Sequence, residues 1–117
     1  MLGLSAGTKV YLAAGSTDLR RSIDGLALLV AAQWELDPLS GHWFVFCNRR
    51  RTTVKVLYWD RNGFCLWQKR LEKEFFRWPH AATDAVEVGM RELTWLLEGL
   101  HLEQKAAHKE LKYSSIY

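Results

Sequence analysis

With 117 residues, 49% of them hydrophobic and 13% aromatic, the chain fits one soluble globular domain that can build its core without metals or disulfides. No apolar run reaches the ~20 residues of a membrane helix, and Met1 to Val10 has neither the basic start nor the apolar core of a signal peptide, so a cytoplasmic protein is expected. The net charge of +3 conceals a segregation: Arg49 to Arg77 holds nine of the sixteen Lys and Arg residues against Asp60, Glu72 and Glu74, whereas the remainder is net acidic.

Lys9 to Ala13 reads as a short strand. Gly15-Ser16-Thr17-Asp18 then supplies turn and capping chemistry, because short polar side chains accept hydrogen bonds from the open N–H groups that begin a helix. In the helix expected next, Leu19, Ile23, Leu26, Ala27, Val30, Ala31 and Trp34 recur at three- and four-residue spacing and share one stripe. Gly25 within it costs ~1 kcal/mol relative to Ala, which points to close approach of another backbone. Asp37-Pro38-Leu39-Ser40-Gly41 ends the helix and turns the chain.

From His42 the pattern becomes β, with Trp43 to Cys47, Thr53 to Asp60, Phe64 to Leu71 and Phe75 to Trp78 rich in aromatic and β-branched residues. Asn48-Arg49-Arg50-Arg51 forms one loop and Asn62-Gly63 a two-residue type I′ turn, so adjacent strands pair antiparallel as a meander. That turn sets Trp59 opposite Leu66, Leu57 opposite Gln68 and Lys55 opposite Arg70. Val54, Val56, Tyr58, Cys65, Trp67, Lys69 and Leu71 then share the other side. Both sides are apolar in the middle, so helices should cover the sheet and cations should gather at its rims and loops.

Cys47 and Cys65 read as buried reduced thiols, and the scattered His42, His80, His101 and His108 give no metal-ligand spacing. After Pro79 a polar linker to about Asp84 leads to a second helix. Met90, Leu93, Trp95, Leu96, Leu97 and Leu100 supply its apolar face and Gly99 its C-cap. The expected fold is α+β: residues 1–102 form a single small domain. It is an antiparallel meander of about four to five strands, with one helix inserted after the first strand and a C-terminal helix. Residues 103–117 form a tail, either helical or disordered until a partner binds.

Several strings are specific in combination: TDLRRSIDGLALLV from Thr17, DPLSGHWFVFCNRRRTTVKVLYWDRNGFCLWQKRLE from Asp37, FRWP from Phe76 and LTWLLEGL from Leu93. Together they closely resemble the small accessory proteins, called TnpB or second-frame proteins, of bacterial insertion sequences of the sixty-six family. The resemblance covers nearly the whole chain to about Leu102. It implies association with transposition of the element, a separately encoded transposase as partner, and no established enzymatic activity. Matching positions such as Asp18, Arg20, Asp24, Gly25, Arg49, Lys55, Trp59 and Asp60 mark the family without assigning roles.

The residues themselves point to a polyanion. Arg49, Arg50 and Arg51 on a hairpin loop suit successive phosphates, with Lys55, Arg61, Lys69, Arg70 and Arg77 as flanking contacts. The bland alternative is a solvated loop and strand cations paired with Asp60, Glu72 and Glu74. Trp43, Trp59, Trp67 and Trp78 would stack unpaired bases if exposed, although core packing suits this spacing better. Trp59 and Trp78, together with Arg20 and Arg21, are the further candidates for partner or base contact. Asp18, Asp24, Asp60, Glu72 and Glu74 show no spacing that gathers carboxylates around a metal, so no catalytic residue, metal or cofactor is assigned. DNA is the expected partner, in support of DNA recombination by the element's transposase; an adaptor that contacts the transposase without binding DNA is the alternative.

Overall fold

All five residues of the strand Trp43–Cys47 are apolar and buried, which places it at the centre of a sheet covered on both faces. The computed structural model describes residues 7–80 and 84–99. In chain order the elements are β1 (Val10–Ala13), α1 (Ile23–Gln33), β2 (Trp43–Cys47), β3 (Thr53–Asp60), β4 (Gly63–Arg70), β5 (Ala85–Val88) and α2 (Met90–Leu97). They make a small α+β domain around one five-stranded sheet of order β4-β3-β2-β1-β5.

The alternation of β2 splits the interior in two. Phe44 and Phe46 point to the side of α1, where they meet Leu26, Val30 and Leu57. Trp43, Val45 and Cys47 point to the side of α2, with Val54, Val56, Leu93 and Leu96. Truncating Phe44 or Phe46 to Ala would cost ~3–5 kcal/mol through lost burial and the cavity left behind. Burial also pushes the Cys47 thiol up to about 12, while Cys65, also a free thiol, is only half-buried.

β2, β3 and β4 form the expected antiparallel meander, but the sheet as a whole is mixed. β1 pairs parallel with β2, because the long connection through α1 carries the chain back to start β2 at the same end as β1. β5 then pairs antiparallel with the other edge of β1. The alternating Ala85-Val86-Glu87-Val88 that forms it falls where a linker running into a helix was expected.

Phe75 to Trp78 is not a strand. Its alternation is nevertheless real: Phe76 and Trp78 are buried in the α2-side core, whereas Phe75 and Arg77 are exposed. Its backbone is held by loops instead, with the Phe76 N–H donating to the Arg51 carbonyl at 2.7 Å. The hairpin turn also differs from expectation. Arg61, at φ 56°, and Asn62 are the turn residues, so Trp59 faces Phe64, Leu57 faces Leu66 and Lys55 faces Gln68. A shift of two residues along β4 keeps every side chain on its expected face.

α1 begins at Ile23 rather than near Leu19, with Ser22 and not Asp18 at its N-cap. A Cβ at Gly25 would meet only the Arg21 side chain, so no neighbouring backbone explains that glycine. α2 begins after Gly89, whose N–H donates to the buried Glu92 carboxylate at 2.8 Å. It ends at Gly99, whose φ of 83° suits a residue without a Cβ. The expected tail, 103–117, lies outside the described residues.

Candidate functional site

β1 and β2 both finish at the same end of the sheet, where β3 begins and β4 finishes. Three connections therefore converge there. The loop after β1, residues 16–20, faces the β2–β3 turn, residues 48–50, and Thr53, Lys55 and Gln68 form the floor between them. The open groove measures about 630 Å³, and its described lining sets Arg20, Arg49, Arg50 and Lys55 against a single acid, Asp18.

The arginine loop owes its shape to Asn48. Its side-chain oxygen accepts the N–H groups of Thr52 at 2.9 Å and Thr53 at 3.1 Å, and its amide nitrogen donates to the Thr52 hydroxyl. This Asn-centred turn leaves Arg49 and Arg50 exposed at its tip. Among the described residues neither makes an ion pair. Opposite, the Thr17 N–H donates to the Cys47 carbonyl at 2.8 Å, which ties the second wall to the end of β2.

Asp18 does not cap α1. Its carboxylate accepts the Arg20 backbone N–H and Nε at 3.0 Å each and Arg20 Nη2 at 2.8 Å. The Arg20 side-chain hydrogen bonds, then its backbone N–H, hold the Asp18 carboxyl down at about 2. The clamp turns a very exposed guanidinium toward the groove but offsets its charge. Arg21 lies on the other side of this loop, where it lines a smaller polar cavity of about 230 Å³ with Asp18, Gln33 and Asp84.

The third loop arginine does something different. Arg51 sits at φ 62°; its Nη1 donates to the Trp78 carbonyl at 2.8 Å and Nη2 meets His80 Nε2. It fastens the 76–80 segment beneath the loop and is only partly exposed. Trp78 is 4% exposed, and its indole N–H donates to the Ala13 carbonyl at 2.7 Å, which removes it as a platform for stacking a base.

The two central lysines are placed on opposite faces. Lys55 Nζ donates to the Leu19 carbonyl at 2.8 Å on the α1 side, within the groove, whereas Lys69 Nζ donates to the Leu97 carbonyl at 2.7 Å on the α2 side. There it complements the negative end of α2. Arg70 lies opposite Thr53, at the groove's end of the sheet, and pairs with Glu72 at 3.0 Å. Arg77 is exposed on the segment that Arg51 holds. Arg61 and the half-buried Trp59, packed edge-on against Phe64, lie at the far end of β3.

Thus Arg49, Arg50 and Lys55 are brought together with Arg20, and Arg61, Lys69 and Trp78 are not. The contributions of Asn48, Thr17 and Asp18 to the groove's walls escape a sequence reading, because each depends on a partner distant in the chain or on a loop conformation. Among the described residues, no three His, Cys, Asp or Glu side chains gather as a metal site, and no helix is long and apolar enough to cross a membrane.

Comparison with known proteins matches residues 8–107 to the IS66 Orf2-like protein family. Two proteins of Sinorhizobium fredii are similar over most of the chain. The uncharacterized protein y4hO is 38% identical over 100 residues, 86% of this chain and 87% of that one. The uncharacterized protein y4jC is 34% identical over 100 residues, 86% of each. No solved structure matches. The chain therefore belongs to the IS66 Orf2-like family, small accessory proteins associated with the transposition of bacterial insertion sequences.

Proposed function

We propose that the protein binds DNA through the groove between residues 16–20 and 48–50 and thereby assists the element's separate transposase without catalysing a reaction itself. The observation that carries this reading is the convergence of Arg20, Arg49, Arg50 and Lys55, from three separate segments, around one open groove in which Asp18 is the only acid among the described lining residues. Cations gathered in this way neutralise phosphates and release counterions, which supplies affinity without base recognition. Arg77, exposed on the segment that Arg51 holds, extends the basic surface, whereas Arg70 is paired with Glu72.

The test is the affinity of the purified protein for DNA across a salt series, read by fluorescence anisotropy. Arg49→Ala with Arg50→Ala should weaken binding and flatten its dependence on salt, with the thermal transition unchanged. An unchanged slope would remove these arginines from the interface.

A second reading, an adaptor that contacts the transposase without touching DNA, draws on one observation: Phe75 is 62% exposed. Recovery of transposase after nuclease treatment, with no gel shift at low salt, would favour it. The apolar side of α2 does not contribute, since Leu93, Trp95, Leu96 and Leu97 are buried within the domain.

A further inference from the structure

We infer that the ligand of this groove is the sugar–phosphate backbone of a duplex, contacted without base stacking and without reading base edges; this rests on the DNA-binding reading above. Three observations lead there.

The first is what lines the groove. Its walls and floor hold cations, hydroxyls and amides, with Leu19 the one large apolar side chain and no aromatic ring. Proteins that hold unpaired strands alternate cations with aromatic platforms, because every base exposes a face that must be covered once stacking is lost. Phe75 is exposed but lies outside the groove's lining, and several other described rings pack against one another. Trp34 packs on Phe44 and Phe46, Trp43 on Tyr58, and Trp59 on Phe64 at the far end of β3.

The second is that, of the two side-chain amides lining the groove, Asn48 and Gln68, the one on the arginine loop is already used. Asn48 spends its oxygen on Thr52 and Thr53 and its nitrogen on the Thr52 hydroxyl, so it has little left to offer the edge of an adenine.

The third is that neither helix among the described residues suits the major groove. The eleven residues of α1 include no Lys or Arg, and its outer face presents Asp24, Leu28, Ala31 and Ala32. α2 buries Leu93, Trp95, Leu96 and Leu97, and its eight residues expose a single cation, Arg91. Among the described groove residues, the exposed guanidinium groups of Arg49 and Arg50 match phosphate oxygens in pairs but carry no sequence information, while the fork of Arg20 is held by Asp18.

Binding of a labelled duplex, of each of its separated strands and of a second duplex of unrelated sequence tests the inference, all at one low salt concentration with the full chain. The expected result is tighter binding to duplex than to either strand, and affinities for the two duplexes within about threefold. Arg49→Ala with Arg50→Ala should reduce the salt slope for the duplex by about 2, since each lost phosphate contact removes ~0.9. The inference is overturned by tighter binding to a single strand, above all if Phe75→Ala abolishes it, or by a preference of more than about tenfold between duplexes. Binding that the double substitution leaves unchanged also overturns it, by moving the site elsewhere. No binding to any probe would instead strike the DNA-binding reading itself, and the inference with it.

Discussion

The two ends of β3 carry arginine-bearing turns that look alike in the sequence and differ in the fold. At one end, Arg49 and Arg50 project from an Asn-braced turn and face a second loop across a groove. At the other, roughly 23 Å away along eight strand residues, Arg61 occupies a tight turn between Asp60 and Asn62. The difference teaches that basic residues gather into one groove where chain connections converge. A parallel β1–β2 pair brings the loop after β1 to the end of β2, where the arginine loop begins, and the far hairpin has no such wall among its described neighbours.

The largest effect should separate these two ends. Arg49→Ala with Arg50→Ala is expected to lower DNA affinity by about tenfold or more at low salt, while its unfolding free energy stays within ~0.5 kcal/mol of wild type. Arg61→Ala should leave affinity within about twofold; an equal loss at both ends would dissolve the distinction. Within the arginine loop itself, Arg51→Ala should behave in the opposite sense. Losing the bond to the Trp78 carbonyl should destabilise the fold by ~1–3 kcal/mol in chemical denaturation, because a charged donor and a part-buried acceptor are both affected.

The faces of the sheet give a further contrast. Lys55→Met and Lys69→Met each remove one bond to a carbonyl and should each cost ~1 kcal/mol in denaturation. DNA affinity should fall only for Lys55→Met, since Lys69 lies on the α2 side. The smallest effect concerns the acid of the groove. The Asp18–Arg20 pairing is present above the ordinary carboxylate range and is lost as pH falls through about 2. Carboxyl-carbon NMR should show that midpoint, and Arg20→Ala should move it up toward 3.8. Asp18→Asn, which removes the offsetting charge, should raise DNA affinity by about twofold.

Much of this architecture was legible from the sequence. Aromatic and β-branched enrichment identifies β2, β3 and β4, and the hairpin signal sets the faces of β3 and β4. The Asn62-Gly63 signal located the hairpin, although the turn formed one step earlier, on Arg61 and Asn62. Alternation could not distinguish strand pairing from burial alone, which is why Phe75 to Trp78 read as a strand. β5 escaped notice for the converse reason: four residues beside a helix are too short for periodicity to show. The parallel pairing of β1 depends on a crossover rather than on any local residue, and the site was legible only as far as local charge revealed it. Arg49, Arg50 and Lys55 were identified as candidates from composition. That Arg51 braces a distant segment, that Lys69 serves a helix end and that Asp18 clamps Arg20 are consequences of tertiary contacts.

The convergence of Arg20, Arg49, Arg50 and Lys55 is tested most directly by the slope of DNA affinity against salt, measured side by side for wild type, Arg49→Ala with Arg50→Ala, and Arg61→Ala. The expected result is a slope reduced by about 2 for the double substitution and unaltered for Arg61→Ala. Equal slopes for all three proteins, or a reduction for Arg61→Ala alone, would contradict it.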